Sequence, residues 1–277
     1  MNPSTKGNLY IFITALLWSI GGVLIRFVPG NAVAINGVRS LIALFFFFAY
    51  RKSFRIRINR KIVLAGICLM LTNTFYAMAN KLTTAGNAIV LQYLAPVFVL
   101  IWNSVYQKKM PSFRHGAIVL MAFCGMVLFF FDKLDGGKLL GNILATCAGI
   151  CFSGVFFINS LDDASPEDAN MIAFALSFVI SIPFLGQLNY MNLSSDAALL
   201  VLGVVQIGLA YAVYSKGIRL TSPVSASLIS LTEAVLNPLW VYLAYGEKLG
   251  QYALMGAAII MIAVIANTLS SINVGRT

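Results

Sequence analysis

Two stretches of this chain decide its fold: GNLYIFITALLWS at residues 7–19 and GNILATCAGICFS at residues 141–153. Both are mostly apolar and open with the same Gly-Asn pair. At the same distance each carries an aromatic residue followed by serine, Trp18-Ser19 in one and Phe152-Ser153 in the other. The stretches start 134 residues apart, close to half of the 277-residue chain. The pair therefore predicts two similar halves.

Two further pairs keep the same register. Residues 116–118 (Gly-Ala-Ile) resemble residues 256–258 (Gly-Ala-Ala), and Thr84 with its helix ending near Pro96 resembles Ser222 with residues 233–234. The offset grows slowly from 134 to 140, as expected if loops changed length while helices kept theirs. We predict a first repeat over residues 1–136 and a second over residues 137–277, within one membrane domain.

The composition is typical of a membrane protein. Hydrophobic residues make up 60% of the chain, charged residues make up 10%, and the mean hydropathy is +0.87. Soluble domains are nearer half apolar and a quarter charged, so a water-soluble core is excluded. A span needs roughly 20 apolar residues to cross about 30 Å of hydrocarbon. Breaks at charged residues, Pro, Gly and Asn place ten spans at about residues 7–28, 33–50, 61–81, 86–106, 113–131, 139–159, 169–188, 197–216, 224–245 and 252–272.

These spans predict an all-α integral membrane protein with ten transmembrane helices in two inverted five-helix repeats. The repeats are inverted because an odd number of spans per half turns the second half upside down in the membrane. Inverted repeats recur in secondary transporters, with the substrate site near the bilayer midplane between the halves. The fold therefore favours a carrier.

The basic residues predict the orientation. With the N-terminus in the cytoplasm, thirteen of them lie near cytoplasmic span ends and five near outer ends, while Arg39 lies inside a span. The cytoplasmic set is Lys6, Arg51, Lys52, Arg55, Arg57, Arg60, Lys61, Lys108, Lys109, Arg114, Lys216, Arg219 and Arg276, and the outer set is Arg26, Lys81, Lys133, Lys138 and Lys248. Basic loops stay cytoplasmic, so both termini are expected there. This bias explains the net charge of +10 without a nucleic-acid partner.

Glu233 and Arg39 are ionisable residues within predicted spans, where a charge costs roughly 2.5–3.5 kcal/mol even on a lenient scale. Glu233 lies near the middle of the ninth span, so it is a candidate proton-coupling group or counter-ion for a cationic substrate. The alternative is a structural glutamate satisfied by hydroxyls or by the backbone of a neighbouring helix. Arg39 lies nearer the end of the second span, from which its side chain can reach the outer surface. We assign it a structural charge.

Polar and aromatic residues on several spans form a candidate substrate cavity. Asn73, Tyr76 and Asn80 are spaced three and four apart and share one face of the third span, and Tyr211 and Tyr214 share a face of the eighth. The full set is Trp18, Asn73, Tyr76, Asn80, Gln92, Tyr93, Asn103, Tyr211, Tyr214, Ser230, Glu233, Asn237 and Trp240. The alternative is that the aromatic members form interfacial belts and the Asn and Ser members bond between helices.

Pro96 and Pro238 lie inside the fourth and ninth spans. A proline frees a backbone carbonyl and kinks its helix, so both are predicted hinges beside the cavity. Prolines are also tolerated in membrane helices that have no hinge.

A membrane enzyme and a channel are the alternatives from other classes. The acidic cluster at residues 162–168 superficially resembles the metal-binding aspartates of intramembrane prenyltransferases, but residues 189–196 supply no second aspartate-rich motif. No HExxH or GxSxG pattern occurs. Nothing supplies the filter ring that a channel needs. Cys147 and Cys151 lie one helical turn apart without a nearby His or carboxylate, so no metal or cofactor is expected.

Four segments resemble the motifs of one family. Residues 15–19 with Arg26 resemble a first-span Leu-Trp-Gly pattern followed by a basic residue, and residues 38–43 resemble a second-span arginine motif. The remaining segments, 76–81 through 94–98 and 230–235 with 246–249, resemble the third-to-fourth span hairpin and the ninth-span ending. The chain thus resembles the drug/metabolite transporter superfamily in its ten-span EamA-like branch. It departs at Ala234, where the family usually has Pro after the glutamate.

This resemblance implies a proton-coupled, exchange or facilitated carrier, in a family whose members export amino acids, amines, drugs or nucleotide-related metabolites. We predict a secondary transporter of the cytoplasmic membrane that exports amino acids or related amines by alternating access. Uptake of a quaternary amine such as choline is the alternative. The expected partners are a small-molecule substrate, the lipid bilayer and a coupling proton or counter-substrate, and a monomer is compatible with the sequence.

Overall fold

The computed structural model describes residues 2–25, 27–134, 136, 138–188, 192–246 and 250–274. Arg26 of the first-span motif and residues 247–249 of the ninth-span motif lie outside these ranges. Within them the chain is helical, and its β-type pairing is an isolated bridge between Gly30 and Leu188.

Nine helical spans in this part of the chain are long and apolar enough to cross a membrane. In chain order they are Pro3–Ile25, Ala32–Arg51, Arg60–Asn80, Gly86–Gln107, Leu139–Asn159, Pro166–Gln187, Leu193–Gly217, Pro223–Tyr245 and Gln251–Ser270. A shorter apolar helix, Phe113–Phe129, follows the fourth of them and supplies the fifth span, which makes ten. The ten-span all-α prediction is confirmed. Because the number is even, the first described span begins and the last described span ends on the same face, called here the terminal face; the other is the distal face.

Several spans are built from more than one helical segment. The first consists of Pro3–Ser19 and Gly21–Ile25, the fourth of Ala85–Gln92 and Ala95–Gln107, and the ninth of Pro223–Ser230 and Thr232–Tyr245. The seventh combines Pro166–Ser181 with the 3₁₀ turn Ile182–Gln187, and the eighth runs through Leu193–Val201, the π-helical Leu202–Leu209 and Ala210–Gly217. The second, third and tenth spans belong to the continuous helices Ala32–Arg51, Arg60–Leu82 and Gln251–Val274.

The breaks in the fourth and ninth spans fall at equivalent places. Each carries a tightened turn, in which Leu94 N–H bonds to the carbonyl of Leu91 at 3.3 Å and Leu231 N–H bonds to that of Leu228 at 3.1 Å. In the fourth span the predicted hinge residue Pro96 stands at the start of the second segment. Pro238 instead lies inside its helical segment, and the ninth span breaks one residue after Ser230.

A pair of matching hydrogen bonds joins the two halves and demonstrates their inversion. At the terminal face Thr221 Oγ1 donates to Asn8 Oδ1 at 2.5 Å, and at the distal face Thr83 Oγ1 donates to Asn142 Oδ1 at 2.7 Å. Asn8 and Asn142 occupy the same place in the repeated Gly-Asn motif. One bond is therefore the counterpart of the other at the opposite face, as an inverted repeat requires.

A second matching pair lies deeper in the membrane. Trp240 Nε1 donates to Ser19 Oγ at 2.8 Å, and Trp102 Nε1 donates to Ser153 Oγ at 2.9 Å. Each bond ties the first span of one half to the fourth span of the other. The four bonds together show that the halves exchange equivalent contacts across their interface.

The second and seventh spans are joined at both faces. At the terminal face Arg51 Nη1 bonds to Asp168 Oδ1 at 2.5 Å, and Ser165 Oγ donates to the other oxygen of that buried carboxylate at 2.6 Å. At the distal face Asn31 Nδ2 donates to Gln187 Oε1 at 2.6 Å. Burying a carboxylate is unfavourable unless the group is paired and hydrogen-bonded, and Asp168 is both.

Candidate functional site

A cavity of about 420 Å³ lies between the two halves. Its lining comes from the first, second, third, fourth, sixth, eighth and ninth spans, and Glu233 and Arg39 both belong to it. Ile25, Ala32 and Asn80, at the distal ends of their spans, are the exposed members. Trp18, deeper in the membrane, is buried. The cavity therefore opens at the distal face and is closed toward the terminal face.

Eight of the thirteen residues predicted to line a cavity do line this one. They are Trp18, Asn73, Tyr76, Asn80, Gln92, Tyr211, Glu233 and Asn237. The structure thus brings together residues from both halves that are far apart in the sequence. Their contact with a substrate stays a prediction.

Tyr93 and Tyr214 lie behind the cavity lining. Tyr93 is 7% exposed, and its hydroxyl donates to Glu233 Oε2 at 2.9 Å. Tyr214 is fully buried, and its hydroxyl donates to the backbone carbonyl of Val155 at 3.2 Å. Both support residues that face the cavity, since Tyr93 orients the carboxylate and the ring of Tyr214 packs 5.9 Å from that of Trp18.

Asn103, Ser230 and Trp240 also lie outside the lining, because their polar groups have partners elsewhere. Asn103 Oδ1 accepts from Gln107 Nε2 at 3.1 Å on an exposed face. Ser230 Oγ donates to the backbone carbonyl of Ser227 at 2.7 Å within its own helix. The indole of Trp240 bonds to the first-span serine already described. The structure thus places these three residues outside the lining of this cavity, and their contact with a substrate stays a prediction.

Arg39 turns into the cavity instead of reaching the outer surface. Its Nε and Nη2 donate to Asn36 Oδ1 at 3.1 and 2.9 Å, and its Nη1 donates to Gln206 Oε1 at 3.3 Å. Gln206 is itself held by a bond from its Nε2 to the backbone carbonyl of Trp18 at 3.3 Å. These amides satisfy part of the guanidinium inside the protein, so the side chain does not need to extend to bulk water.

The lining includes polar and aromatic residues that the sequence analysis missed, notably Asn36, Thr72, Phe152 and Gln206. Two sequence signals could have identified some of them. Gln206 is an amide in the middle of an apolar run, and Asn36 lies one turn before Arg39, where an i, i+3 contact is expected.

Glu233 is positioned by the break in its span. It is the second residue of Thr232–Tyr245, in the first turn of that helical segment. The positive end of a helix dipole favours a carboxylate at this place. Tyr93, which donates to Glu233, lies at the equivalent break of the fourth span. The two breaks therefore meet beside the cavity.

The aromatic floor of the cavity consists of Trp18, Phe152 and Tyr211, and Tyr214 packs behind it. The ring of Trp18 lies 6.1 Å from that of Phe152, 5.1 Å from that of Tyr211 and 5.9 Å from that of Tyr214. All four side chains are buried. Tilted rings at these distances pack favourably, so the floor separates the cavity from the terminal face.

The described ranges contain no group of three or more His, Cys, Asp or Glu residues placed to hold a metal ion. The cavity offers a guanidinium, a carboxylate, several amides and aromatic faces, a set of groups that suits a small polar solute with an apolar part.

The sequence pattern of the EamA-like transporter family matches the chain twice, at residues 5–131 and 139–269. The chain belongs to the EamA-like transporter family. This EamA-like transporter is 25% identical to YicL, an inner membrane transporter of Salmonella typhimurium, over 98% of both chains. It is 24% identical to the transporter YwfM of Bacillus subtilis over 94% of both.

The structural comparison agrees with this membership. A solved crystal structure superimposes on this EamA-like transporter with a TM-score of 0.82, covering 95% of this chain and 97% of the other. At 19% sequence identity the likeness shows a shared fold. The protein is thus a multi-pass membrane protein of a transporter family, built with the two-repeat fold.

Proposed function

We propose that this protein is a secondary carrier that exports amino acids or related amines by alternating access. The observation that carries the proposal is the presence of Arg39 and Glu233 in one cavity of about 420 Å³. Pockets for small ligands start near 300 Å³, so an amino acid fits the space. A zwitterion carries a carboxylate for the guanidinium and an ammonium for the carboxylate.

Arg39 is the proposed carboxylate-binding residue. Its bonds to Asn36 and Gln206 use three of the five N–H groups of a guanidinium, which leaves two for a solute. Charge-assisted hydrogen bonds of this kind are roughly twice as strong as neutral ones. The two amides also fix the plane of the guanidinium before the solute arrives, which lowers the entropic cost of binding.

Glu233 is the proposed ammonium-binding residue, and the aromatic floor is the proposed contact for the substrate side chain. The hydroxyl of Tyr93 holds one carboxylate oxygen of Glu233 at 2.9 Å. A cation beside aromatic faces gains further attraction from the ring quadrupoles. Glu233 is also the proposed point of coupling to a proton or counter-substrate, because the same carboxylate serves the cation in either case.

Uptake of a quaternary amine is the second candidate, and Glu233 beside Trp18 and Tyr211 favours it. Arg39 argues against it, since a solute with only a positive charge is repelled by a guanidinium in the same cavity. A zwitterion satisfies both charged residues, and for that reason we place amino acids first.

Transport into proteoliposomes from a panel of labelled neutral amino acids, primary amines and choline tests the proposal. We expect amino acids to be carried best and Glu233→Gln to lower their transport at least about tenfold, the effect of losing one charged hydrogen-bond partner. Asp196→Asn, an exposed carboxylate-to-amide change at the distal end of the eighth span, is the matched control and should leave transport unchanged. Choline as the best substrate would select the second candidate, and transport of no panel member would refute both.

The proposed location is the cytoplasmic membrane with both termini in the cytoplasm. The proposal is supported by the basic residues of the terminal face, such as Arg51 and Lys61, because basic loops are retained in the cytoplasm. Labelling of a single cysteine placed at Ser53, between the second and third spans, with a membrane-impermeant reagent tests it. Protection in intact cells and labelling in inverted vesicles are expected, and the reverse pattern would refute this orientation.

A further inference from the structure

A buried polar cluster lies between the aromatic floor and the terminal face. This terminal cluster consists of Val155, Asn159, Asn170, Tyr214 and Ser215, and all five residues are at most 2% exposed. Asn170 Nδ2 donates to Ser215 Oγ at 3.2 Å, and the Tyr214 hydroxyl donates to the Val155 carbonyl at 3.2 Å. Asn170 Oδ1 is buried with no hydrogen-bond partner among the described residues. A buried unpaired amide oxygen is unfavourable and requires an explanation.

The internal repeat gives every member of this cluster a counterpart. Asn8 and Asn142 set an offset of 134 residues for the first two spans of each half, and Thr83 and Thr221 set an offset of 138 for the third. In that register Val155, Asn159, Asn170, Tyr214 and Ser215 correspond in order to Gly21, Ile25, Asn36, Tyr76 and Ala77. All five counterparts line the open distal cavity. The terminal cluster is therefore the closed equivalent of the open cavity wall.

We propose that the terminal cluster is the second half of the translocation route, and that it lines a cavity open at the terminal face when the distal cavity closes. This inference rests on the alternating access of the proposed function. Two halves of one fold reach the opposite state by exchanging conformations. The polar groups of Asn159 and Asn170 are then hydrated, which explains why amides are present at these buried positions.

The same symmetry identifies which contacts separate on opening. The hydrogen bonds of Tyr214 and Ser215 tie the segment Ala210–Gly217 to the sixth and seventh spans. At the distal face the equivalent residues, Tyr76 and Ala77, line the open cavity. The two bonds are therefore the terminal gate. The gate segment follows the π-helical stretch Leu202–Leu209, a geometry frequent at functional sites.

The ion pair between Arg51 and Asp168, unlike the two gate bonds, is expected to stay intact when the terminal face opens. It joins the second and seventh spans at the terminal face, and the same two spans stay joined at the distal face by the bond from Asn31 to Gln187, although that face is open. The second and seventh spans are repeat counterparts, and because they stay joined at the open face they are expected to stay joined when the other face opens. The ion pair is therefore a fixed anchor, and it does not hold the route closed although it lies beside it.

Thiol labelling of the purified protein in detergent tests the gate without any substrate. The four cysteines, Cys68, Cys124, Cys147 and Cys151, are free thiols and are first replaced by alanine. Asn159→Cys then reports exposure at the terminal face, and its counterpart Ile25→Cys reports exposure at the distal face. The rate of maleimide labelling of each reporter is measured with and without a gate substitution.

Two separate gate substitutions are used, Tyr214→Phe and Ser215→Ala, each removing one gate bond. We expect each to raise labelling of Asn159→Cys and to lower that of Ile25→Cys, with a change of about fivefold in the ratio of the two rates, the effect of one net hydrogen bond. Arg51→Gln is the anchor variant, and it should leave this ratio unchanged. Thermal unfolding of every variant establishes that it is folded.

A rise in both rates, or no change in either with both gate substitutions, would overturn the gate. A reciprocal shift caused by Arg51→Gln would overturn the anchor assignment. Because labelling needs no solute, a failure of amino acid transport in proteoliposomes refutes the proposed substrate and leaves the labelling result intact.

Discussion

Alanine at Gly7 or Gly141 tests the inverted packing of the two halves. A Cβ at Gly7 would lie 2.7 Å from the carbonyl carbon of Leu220, and a Cβ at Gly141 would lie 2.7 Å from that of Leu82. Ordinary contact begins at 3.4 Å, so each added methyl group is about 0.7 Å too close. The obstacle is backbone in both cases and cannot rotate away. The first span of each half must therefore shift against the other half.

The magnitude follows from two opposing effects. Overpacking of this kind costs about 1–3 kcal/mol. Replacing glycine by alanine within a helix returns about 0.5–1 kcal/mol. These ranges centre on an expected net loss of about 1 kcal/mol, which lowers the Tm by about 2–4 °C in a chain of this size. Because the two sites are counterparts, the two losses should be equal.

Thermal unfolding in detergent at one fixed heating rate measures the effect, since unfolding of such proteins is often irreversible and the apparent Tm depends on the rate. Gly116→Ala is the control, because a Cβ there would meet nothing within 4 Å. We expect no fall in its Tm. A clear loss at one of the two contact glycines without a matching loss at the other would refute the symmetric packing, as would an equal loss in the control.

Two further predictions concern single hydrogen bonds. Tyr93→Phe removes the donor to Glu233, so the half-saturation constant for transport of the best panel substrate should rise about tenfold or more. Tyr106→Phe, which changes an exposed ring, is the control and should leave this constant unchanged. Equal constants in the two variants would contradict the role of Tyr93 in orienting Glu233. Trp102→Phe and Trp240→Phe each break one of the paired indole bonds, and each should cost about 1 kcal/mol in thermal unfolding, additively in the double variant. A marked difference between the two would show that the halves are not held equivalently.

The fold could be predicted from sequence because its signals are local and repeated. Apolar runs of span length mark the helices, and the Gly-Asn motif at Gly7 and Gly141 marks the repeat. Helical periodicity alone also places Asn73, Tyr76 and Asn80 on one face of the third span, and all three lie in the lining of the cavity, although their contact with a substrate stays a prediction.

The rest of the site depends on contacts between helices, which a single sequence does not specify. Ser230 and Trp240 resemble lining residues in type and depth. Ser230 instead forms a hydrogen bond within its own helix, and Trp240 forms one with Ser19 of the first span. Arg39 could extend to water or fold inward, and the choice depends on Gln206 from the other half of the chain. Whether a side chain faces the cavity depends on how its helix is rotated about its own axis. The hydrophobic pattern of the sequence constrains this rotation only weakly when every face of the helix is apolar.

The bonds between Asn and Thr at the two faces show what kind of interface joins the two halves. Each half carries one asparagine and one threonine of this pair: Asn8 and Thr83 in the first half, Asn142 and Thr221 in the second. A single five-helix unit thus holds both members of the contact and is complementary to an inverted copy of itself. Such an interface is isologous, the kind found in two-fold symmetric homodimers. The molecule is therefore organised like an antiparallel dimer whose two subunits are joined in one polypeptide. Because the two halves are parts of one chain, equivalent positions can carry different residues, and Glu233 stands on one side of the pseudo-two-fold axis with Ala95 on the other.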